Sequence, residues 1–241
     1  MEASRRLQLF NRDMLKVIAA AAMLLDHIGW RFLVFSSPLA QLFHTVGRIT
    51  LPIMCFFIAE GYGYTHSKKK YGLRLLLFAL LSQVPYAMFR GNPWYTPDLN
   101  VIFTLLFCFL AILFYDKIQN GTLRWIAVLS CTAATWWCDW PVTAVLFALT
   151  FWIFREDEKK RAAAFSAVAI FYFCFTLSQK LEAGCGLISG LLSSLFTLGV
   201  FLALVLLLFY NHQKGRFSEG KWGKWFFYLF YPAQLFLLAL L

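Results

Sequence analysis

An aspartate and a histidine stand side by side inside a long apolar stretch, and an arginine follows in the next one. Asp26, His27 and Arg48 are ionisable, and such groups are costly at bilayer depth unless they are paired or functional. An imidazole titrates near neutral pH and so can take a proton from an attacking amine or hydroxyl. An arginine, or amides such as those of Gln83 and Asn100, can hold a thioester carbonyl or its oxyanion. These residue types together would suit acyl transfer.

Helix geometry limits how these side chains can cooperate. Neighbouring residues on a helix point about 100° apart, so Asp26 is predicted to pair with Arg48 or another helix and not to orient His27. Purely structural explanations of these side chains stay open beside this one. Asp26 and Arg48 can form a purely structural ion pair, and His27 can be a helix–helix hydrogen-bonding residue. Arg48 can also reach outward together with His44, which lies one turn earlier on the same face.

Depth in the membrane groups some polar residues and separates another. Helical rise places the aspartate–histidine pair about 20 Å from the start of its segment, and the arginine about 9 Å into the next from the opposite side. Gln83, Asn100 and Asp139 are predicted to lie at the same outer level. Gln83 and Asn100 can equally be interhelical hydrogen-bonding residues. Glu60 is predicted to lie apart, near the cytoplasmic end of its segment, where solvation is its simplest explanation.

Most of the remaining chain is apolar. Hydrophobic residues make up 61% of the 241 residues and charged residues 14%, against about 25% charged in soluble domains. The apolar segments are residues 14–35, 42–64, 71–90, 99–115, 123–138, 140–154, 162–177, 184–210 and 225–241. Because a helical span needs about 20 residues, we predict an all-α polytopic membrane protein. It would have about nine transmembrane helices in a single domain over residues 1–241.

Basic residues indicate which ends face the cytoplasm. When alternate gaps are assigned to opposite sides, 18 Lys and Arg fall on the N-terminal side and three (Arg31, Arg90 and Lys180) on the other. Cytoplasmic loops carry the excess of Lys and Arg, so the N-terminus is predicted to lie in the cytoplasm. Segments 123–138 and 140–154 are short, and they form either a tilted hairpin or a re-entrant pair. Neither choice changes the sides.

Other functional classes receive little support. The net charge of +10 is divided among short clusters between apolar segments, which is typical of cytoplasmic loops and argues against nucleic-acid binding. The sequence contains no Gly-rich phosphate loop, no G-x-S-x-G elbow, no H-E-x-x-H and no EF-hand loop, so no metal is predicted. Composition and topology alone leave a transporter and an enzyme equally expected, because buried charges also relay protons or bind charged solutes.

A set of local strings follows the order and spacing of a known family. They are Leu15-Lys16-Val17-Ile18-Ala19, Met23-Leu24-Leu25-Asp26-His27-Ile28-Gly29, Val46-Gly47-Arg48-Ile49-Thr50-Leu51-Pro52, Phe56-Phe57-Ile58-Ala59-Glu60-Gly61, Arg74-Leu75-Leu76, Ser82-Gln83-Val84-Pro85-Tyr86, Leu99-Asn100-Val101-Ile102-Phe103-Thr104-Leu105 and Tyr228-Leu229-Phe230-Tyr231-Pro232. These strings closely resemble the TraX family, the conjugal pilin acetylases. The resemblance covers most of the chain, with its specific motifs in residues 15–105 and near the C-terminus.

The resemblance implies an integral inner-membrane acyltransferase that acetylates a pilin N-terminus, with acetyl-CoA as donor. The family is distantly similar to membrane acyltransferases that modify sugars and lipids, in which a first-span His is catalytic and a later Arg binds the donor. Carried over, His27 is the general base, Asp26 a second catalytic residue, and Arg48 a substrate or acyl-CoA contact. The further donor-binding residues would be Glu60, Gln83 and Asn100.

One position departs from the family pattern, in which Tyr-Pro is often followed two residues later by His. Here Tyr231 and Pro232 lead to Gln234. If the family's His carries a proton, this chain is altered or inactive; if it only hydrogen-bonds, glutamine can substitute.

We therefore predict a plasma (inner) membrane enzyme that moves acetyl from acetyl-CoA to a pilin-like peptide N-terminus or another membrane-accessible acceptor, a glycan or a lipid. The first alternative is a transporter of a small solute or lipid, which buried Asp, His and Arg would also suit. The second is a non-catalytic membrane assembly factor, which loss of the family's His would favour.

Overall fold

The computed structural model describes residues 8–93, 95–216 and 221–241, with the backbone alone for 221–224. Arg5 and Arg6, and the side chains of Lys221 and Lys224, belong to the charge count above and lie outside the described residues. Within the described ranges the regular elements are helices. Two isolated β-bridges also occur, one between Phe10 and Tyr210 and one between Leu99 and Cys138. The predicted all-α class is confirmed for this part of the chain.

The helices follow the apolar segments of the sequence. They are α1 (Arg12–Phe32), α2 (Pro38–Gly47), α3 (Thr50–Tyr64), α4 (Lys68–Arg90), α5 (Val101–Lys117), α6 (Gly121–Ala134), α7 (Thr143–Ile153), α8 (Glu158–Glu182), α9 (Leu187–Ser194), α10 (Val200–Leu208) and α11 (Lys221–Leu240), with 3₁₀ turns at Thr135–Trp137 and Leu195–Gly199. Within the part of the chain that the structure describes, four helical stretches are long and apolar enough to cross a membrane: Pro38–Tyr64, Lys68–Arg90, Glu158–Glu182 and Leu187–Leu208. This composition fits a membrane protein, and the count of nine spans stays a prediction.

Polar side chains define where several helices begin. The side-chain oxygen of the residue before each of these helices accepts a hydrogen bond from a backbone N–H of the first turn, which supplies a partner that the helix itself cannot. These capping residues are Asn11, Ser37, Ser67, Asn100, Asn120 and Asp157. Pro38 follows one of them at the first helical position, where a missing N–H costs nothing. The short polar interruptions of the sequence therefore set the helix boundaries.

Helix α7 lies at the centre of the bundle and is short. Its 11 residues extend about 16 Å, about half of a hydrocarbon core. It packs against α3, α5 and α8, and Ala144, Val145, Phe147 and Ala148 are fully buried. Helix α6, by contrast, exposes much of its surface. The two short segments are thus separate helices joined by non-helical chain at 138–142, of which α6 packs on α5 and not on α7. Whether both span stays a prediction.

The helices run between two ends of the bundle that differ in charge. We call one the basic end; it carries the clusters Lys68–Lys70 and Lys159–Arg161, together with Arg155 and Lys214. The opposite end carries Arg31, Arg90 and Lys180. Between the two ends, α4, α6 and α9 expose many leucine and isoleucine side chains, a surface that suits lipid better than water.

Candidate functional site

Helices α1 and α2 bring an aspartate and an arginine together where α2 bends into α3. Arg48 Nη2 lies 2.6 Å from Asp26 Oδ2, and their side chains are only 8% and 14% exposed. Helix α2 approaches α1 so closely that a Cβ at position 47 would overlap the Asp26 side chain, so Gly47 permits this contact. The pairing of Asp26 with Arg48 that the sequence predicts is confirmed.

A histidine of α2 is the second partner of this aspartate. His44 Nδ1 lies 2.7 Å from Asp26 Oδ1, and the fully buried ring packs on Trp30 and Phe35 at centroid distances of 4.8 and 5.2 Å. The alternative in which Arg48 and His44 reach outward is therefore wrong. Both side chains turn inward, because Asp26 offers each of them one carboxylate oxygen.

Aromatic side chains enclose the Arg48 guanidinium. Its Nη1 donates a hydrogen bond of 3.2 Å to the Tyr172 hydroxyl on α8, and its Nε donates one of 3.2 Å to the His44 carbonyl. The guanidinium carbon lies 4.7 Å from the Trp140 ring centroid and 5.2 Å from that of Phe196, within cation–π range. The charge is thus held in one orientation at the end of α2.

His27 behaves differently from its neighbour Asp26. Its ring packs beside Phe89 of α4 and Tyr231 of α11, at centroid distances of 5.2 and 6.4 Å. Nδ1 is buried and has no hydrogen-bond partner among the described residues. The angular separation expected for helix neighbours therefore places His27 away from the ion pair, and its Nδ1 has no competing hydrogen bond there.

A second carboxylate stands in the chain segment between α6 and α7. Asp139 Oδ1 accepts a hydrogen bond of 2.9 Å from the Tyr86 hydroxyl. Among the described residues, Asp139 forms no ion pair, although Arg90 and Arg48 act on it from a longer distance. This environment contrasts with that of Asp26, which has two basic partners.

These groups surround one cavity of about 600 Å³, a volume typical of small-molecule sites. Its polar and aromatic lining includes Asp26, His27, Arg48, Tyr86, Asp139, Trp140, Tyr172 and Tyr231. Exposed lining residues, among them Trp30, Arg31, Arg90 and Gln179, lie at the opposite end of the bundle. The cavity therefore opens towards that end and has His27 in its wall.

Glu60 lies apart from the cavity, as the sequence predicts. Arg12 Nη2 is 2.8 Å from Glu60 Oε2, the Tyr210 hydroxyl donates to Oε1 at 3.1 Å, and His212 Nδ1 is 3.5 Å from Oε1. We call these four residues the Glu60 cluster. It ties α1, α3 and the segment after α10 together at the basic end, and none of its members lines the cavity. Arg12 Nε is buried without a partner among the described residues.

Gln83 and Asn100 form a link between α4 and α5. Asn100 caps α5 through the Ile102 N–H (3.0 Å) and donates 2.8 Å hydrogen bonds to the Ala79 carbonyl and to Gln83 Oε1. Gln83 in turn donates to the Asp98 carbonyl at 2.7 Å. Neither residue lines the cavity. The structure therefore brings together Asp26, His27 and Arg48 but not these two amides.

The glutamine that departs from the family pattern is buried in α11. Gln234 is 5% exposed, and both polar atoms of its side chain lack a partner among the described residues. It does not line the cavity, whereas Tyr231 one turn earlier does. The Tyr231 hydroxyl is also buried without a partner in the described chain.

Sequence reasoning missed part of this constellation. His44 carried a usable signal, since its spacing of four residues from Arg48 puts both on one helix face. Tyr86 and Tyr172 carried no such signal in the sequence, because tyrosines are common near the ends of membrane helices. Only the packing of α4 and α8 reveals that their hydroxyls meet Asp139 and Arg48.

Comparison with known proteins covers nearly the whole chain. The family model described as TraX protein matches residues 11–241. "Probable fimbrial assembly protein FimC, serogroup H1" of Dichelobacter nodosus is 31% identical over 238 residues, 95% of this chain and 95% of that protein. An uncharacterised protein of Rickettsia prowazekii (strain Madrid E) is 23% identical over 164 residues, 66% of this chain and 62% of its own length. No solved structure matches the chain.

Proposed function

The chain belongs to the TraX family, and from this premise we propose that it is an integral membrane acyltransferase. It would move an acetyl group from acetyl-CoA to the N-terminus of a pilin-like peptide or to another acceptor that reaches the cavity. A relative named for fimbrial assembly supports a pilin-related acceptor over a glycan or a lipid. The whole chain would form one domain, because the family model covers it nearly from end to end.

The observation that carries the proposal is the unpartnered imidazole in the cavity wall. His27 Nδ1 has no hydrogen-bond partner among the described residues, although an anchored aspartate and arginine stand next to it. An unpaired buried polar atom costs about 1–3 kcal/mol, and in a residue that lines the cavity a role in catalysis would account for that cost. An imidazole kept free in this way suits a general base.

The proposed reaction assigns each group one step. The acceptor amine attacks the thioester carbonyl carbon, so that a C–N bond forms and the C–S bond to coenzyme A breaks. His27 takes the proton from the attacking nitrogen and returns it to the leaving thiolate, which becomes the thiol. Arg48, held by Asp26 and Tyr172, faces the cavity and would stabilise the negative charge that develops on the carbonyl oxygen.

The proposed topology has nine spans, a cytoplasmic N-terminus and location in the inner (plasma) membrane. The basic end then faces the cytoplasm, where its lysine clusters attract the phosphates of coenzyme A, and the cavity opens outward.

Between the basic end and the cavity, Thr50 donates to the Ala19 carbonyl at 2.9 Å, and Leu51 and Ile53 are buried. A route for the acetyl group between these helices would require α1 and α3 to separate there. We expect hydrogen exchange of the backbone amides of Thr50, Leu51 and Ile53 to become faster when acetyl-CoA binds. Unchanged exchange would contradict this route.

The experiment that tests the proposal uses the purified protein in lipid nanodiscs with isotope-labelled acetyl-CoA. A pilin-derived peptide with a free N-terminus, a glycan fraction and a lipid extract are offered together, and the products are analysed by mass spectrometry. We expect label on the peptide N-terminus. Label on glycan or lipid would retain the enzyme and change the acceptor. Solute flux in proteoliposomes without any labelled product would instead favour a transporter.

A further inference from the structure

Asp139 is the carboxylate of the cavity wall that the mechanism above does not use. Asp26, in the same wall, has a basic partner on each oxygen, since Arg48 and His44 bind them at 2.6 and 2.7 Å. Asp139 has a tyrosine hydroxyl on Oδ1, and no hydrogen bond to Oδ2 is found in the described chain. Of the two carboxylates, only Asp139 therefore retains its charge for a partner from outside.

The backbone around Asp139 is anchored on several sides. Its N–H donates to the Leu99 carbonyl at 3.1 Å, and its own carbonyl accepts from the Thr104 hydroxyl at 2.6 Å. The Thr135 hydroxyl accepts from the Val142 N–H at 2.8 Å. Non-helical backbone at membrane depth is tolerated where it is satisfied and lines a cavity. This segment thus fixes the carboxyl group at the cavity wall.

A tyrosine hydroxyl without a partner stands beside this carboxylate. Tyr231 lines the cavity and is 4% exposed, and its buried hydroxyl lies near the Val101 backbone without a hydrogen bond of normal geometry among the described residues. It lies near enough to Asp139 and Tyr86 to interact electrostatically with both. Two phenol rings and a carboxylate are the groups that proteins use to bind a small cation, through charge, hydrogen bonds and the ring faces.

The charges around the cavity fit a cation in its interior. Inside, Arg48 is paired with Asp26, whereas Asp139 has no ion-pair partner among the described residues and feels Arg90 only from a longer distance. Arg31 and Arg90 are exposed at the mouth, where water and salt screen them. An ammonium group that passes the mouth would therefore be stabilised beside Asp139.

We infer that Asp139, together with the hydroxyls of Tyr86 and Tyr231, binds the ammonium form of the acceptor amine and positions it in the cavity. This inference rests on the proposed function and assigns the acceptor side of the same cavity. The bound ammonium gives one proton to His27, which releases it to water. The amine then attacks the thioester, and its second proton passes through His27 to the coenzyme A thiolate. Asp139 is a positioning residue that stays ionised throughout.

The first measurement needs no catalysis. Binding of a soluble heptapeptide with a free N-terminal amine is compared with that of the same peptide lacking this amino group, by calorimetry on the full chain in nanodiscs. Asp139→Asn keeps an oxygen for the Tyr86 hydroxyl and so should fold. We expect it to weaken binding of the amine peptide by about tenfold or more and to leave the weak binding of the other peptide unchanged.

The matched control is Asp157→Asn, the same chemical change in an aspartate that caps α8 at the basic end and does not line the cavity. It should bind both peptides as the unaltered protein does. If Asp139→Asn does not fold, Tyr231→Phe removes one hydroxyl from the same site. It should weaken binding of the amine peptide and leave binding of the other peptide unchanged. Equal binding of the two peptides to the unaltered protein, or unaltered binding to Asp139→Asn, would overturn the inference.

Transfer kinetics separate this inference from the proposed function. We expect Asp139→Asn to raise KM for the amine peptide about tenfold or more while KM for acetyl-CoA is unchanged. If the unaltered protein transfers acetyl but Asp139→Asn has the same peptide KM, the ammonium site is wrong and the proposed function stands. If no preparation transfers acetyl, yet the amine peptide binds through Asp139, the proposed function is wrong and the site stands.

Discussion

The two polar regions of the molecule use the same side-chain types to different ends. In the Glu60 cluster, an arginine, a tyrosine and a histidine all contact one carboxylate, and no member lines the cavity. Around the cavity, Asp26 is satisfied in a similar way. Each region also holds buried polar atoms without a partner in the described chain: Arg12 Nε in the Glu60 cluster, and His27 Nδ1 and the Tyr231 hydroxyl in residues that line the cavity. The only side-chain hydrogen-bond partner of the Asp139 carboxylate among the described residues is the Tyr86 hydroxyl.

The difference indicates how structural and reactive polar groups can be separated in a membrane bundle. Donors gathered on one carboxylate lower the cost of burying it and join helices. Buried polar atoms without partners keep their cost, and in residues that line a cavity a function would explain why they are retained. We therefore expect changes in the Glu60 cluster to affect stability, and changes around the cavity to affect binding and transfer.

The largest stability effect is expected for the ion pair that frames the cavity. Arg48→Leu leaves Asp26 charged and buried, which should lower the free energy of unfolding by about 3–5 kcal/mol. Denaturant unfolding in detergent micelles measures this loss. The double variant with Asp26→Leu removes the stranded charge and should recover part of the stability. If Arg48→Leu and the double variant are equally stable, the pair does not anchor the cavity.

A smaller loss is expected at the basic end. Glu60→Gln removes the ion pair with Arg12 but keeps an oxygen for the Tyr210 hydroxyl, so unfolding should become easier by about 1–3 kcal/mol. Transfer per folded molecule should not change. The control is Glu156→Gln, the same change at a side chain that is 88% exposed. A raised KM for acetyl-CoA in Glu60→Gln would instead assign Glu60 to the donor site.

Loss of a helix cap should cost more stability at Asn100, which also links α5 to α4, than at Asn120, which only caps α6. Asn100→Ala removes an N-cap and two further hydrogen bonds, to Ala79 and Gln83, so it should cost about 2 kcal/mol. Asn120→Ala removes only the cap of α6 and should cost about 1 kcal/mol. Thermal unfolding compares the two variants. Equal losses would mean that the bonds to α4 contribute little, and a selective loss of acetyl-CoA binding would return Asn100 to the donor site.

The smallest effect is expected at the position that departs from the family pattern. Gln234 buries two polar atoms that lack partners in the described chain, so Gln234→Leu should be neutral or stabilising by about 1 kcal/mol. Transfer should be retained, since Gln234 does not line the cavity. Unfolding and transfer assays on the same preparation check both points. Lost transfer at unchanged stability would show that this position has a role in the reaction.

Much of the framework could be predicted because it depends on local pattern. Each of the nine apolar segments contains a helix, and the pairing of Asp26 with Arg48 followed from helix angles and chain direction. The other residues that contact this ion pair could not all be predicted from the sequence. His44 had the correct spacing but an equally good outward path, and the meeting of Tyr172 with Arg48 joins residues 124 positions apart. Such contacts depend on which helices pack together, which periodicity does not specify.

The most direct test of the whole account compares two histidines, one from each region. His27→Ala and His212→Ala make the same chemical change, in the cavity wall and in the Glu60 cluster. Transfer of labelled acetyl to the amine peptide is measured for both, per folded molecule. We expect His27→Ala to lower kcat by about 10²–10⁴-fold and His212→Ala to leave it unchanged. Transfer at the unaltered rate by His27→Ala would contradict the account.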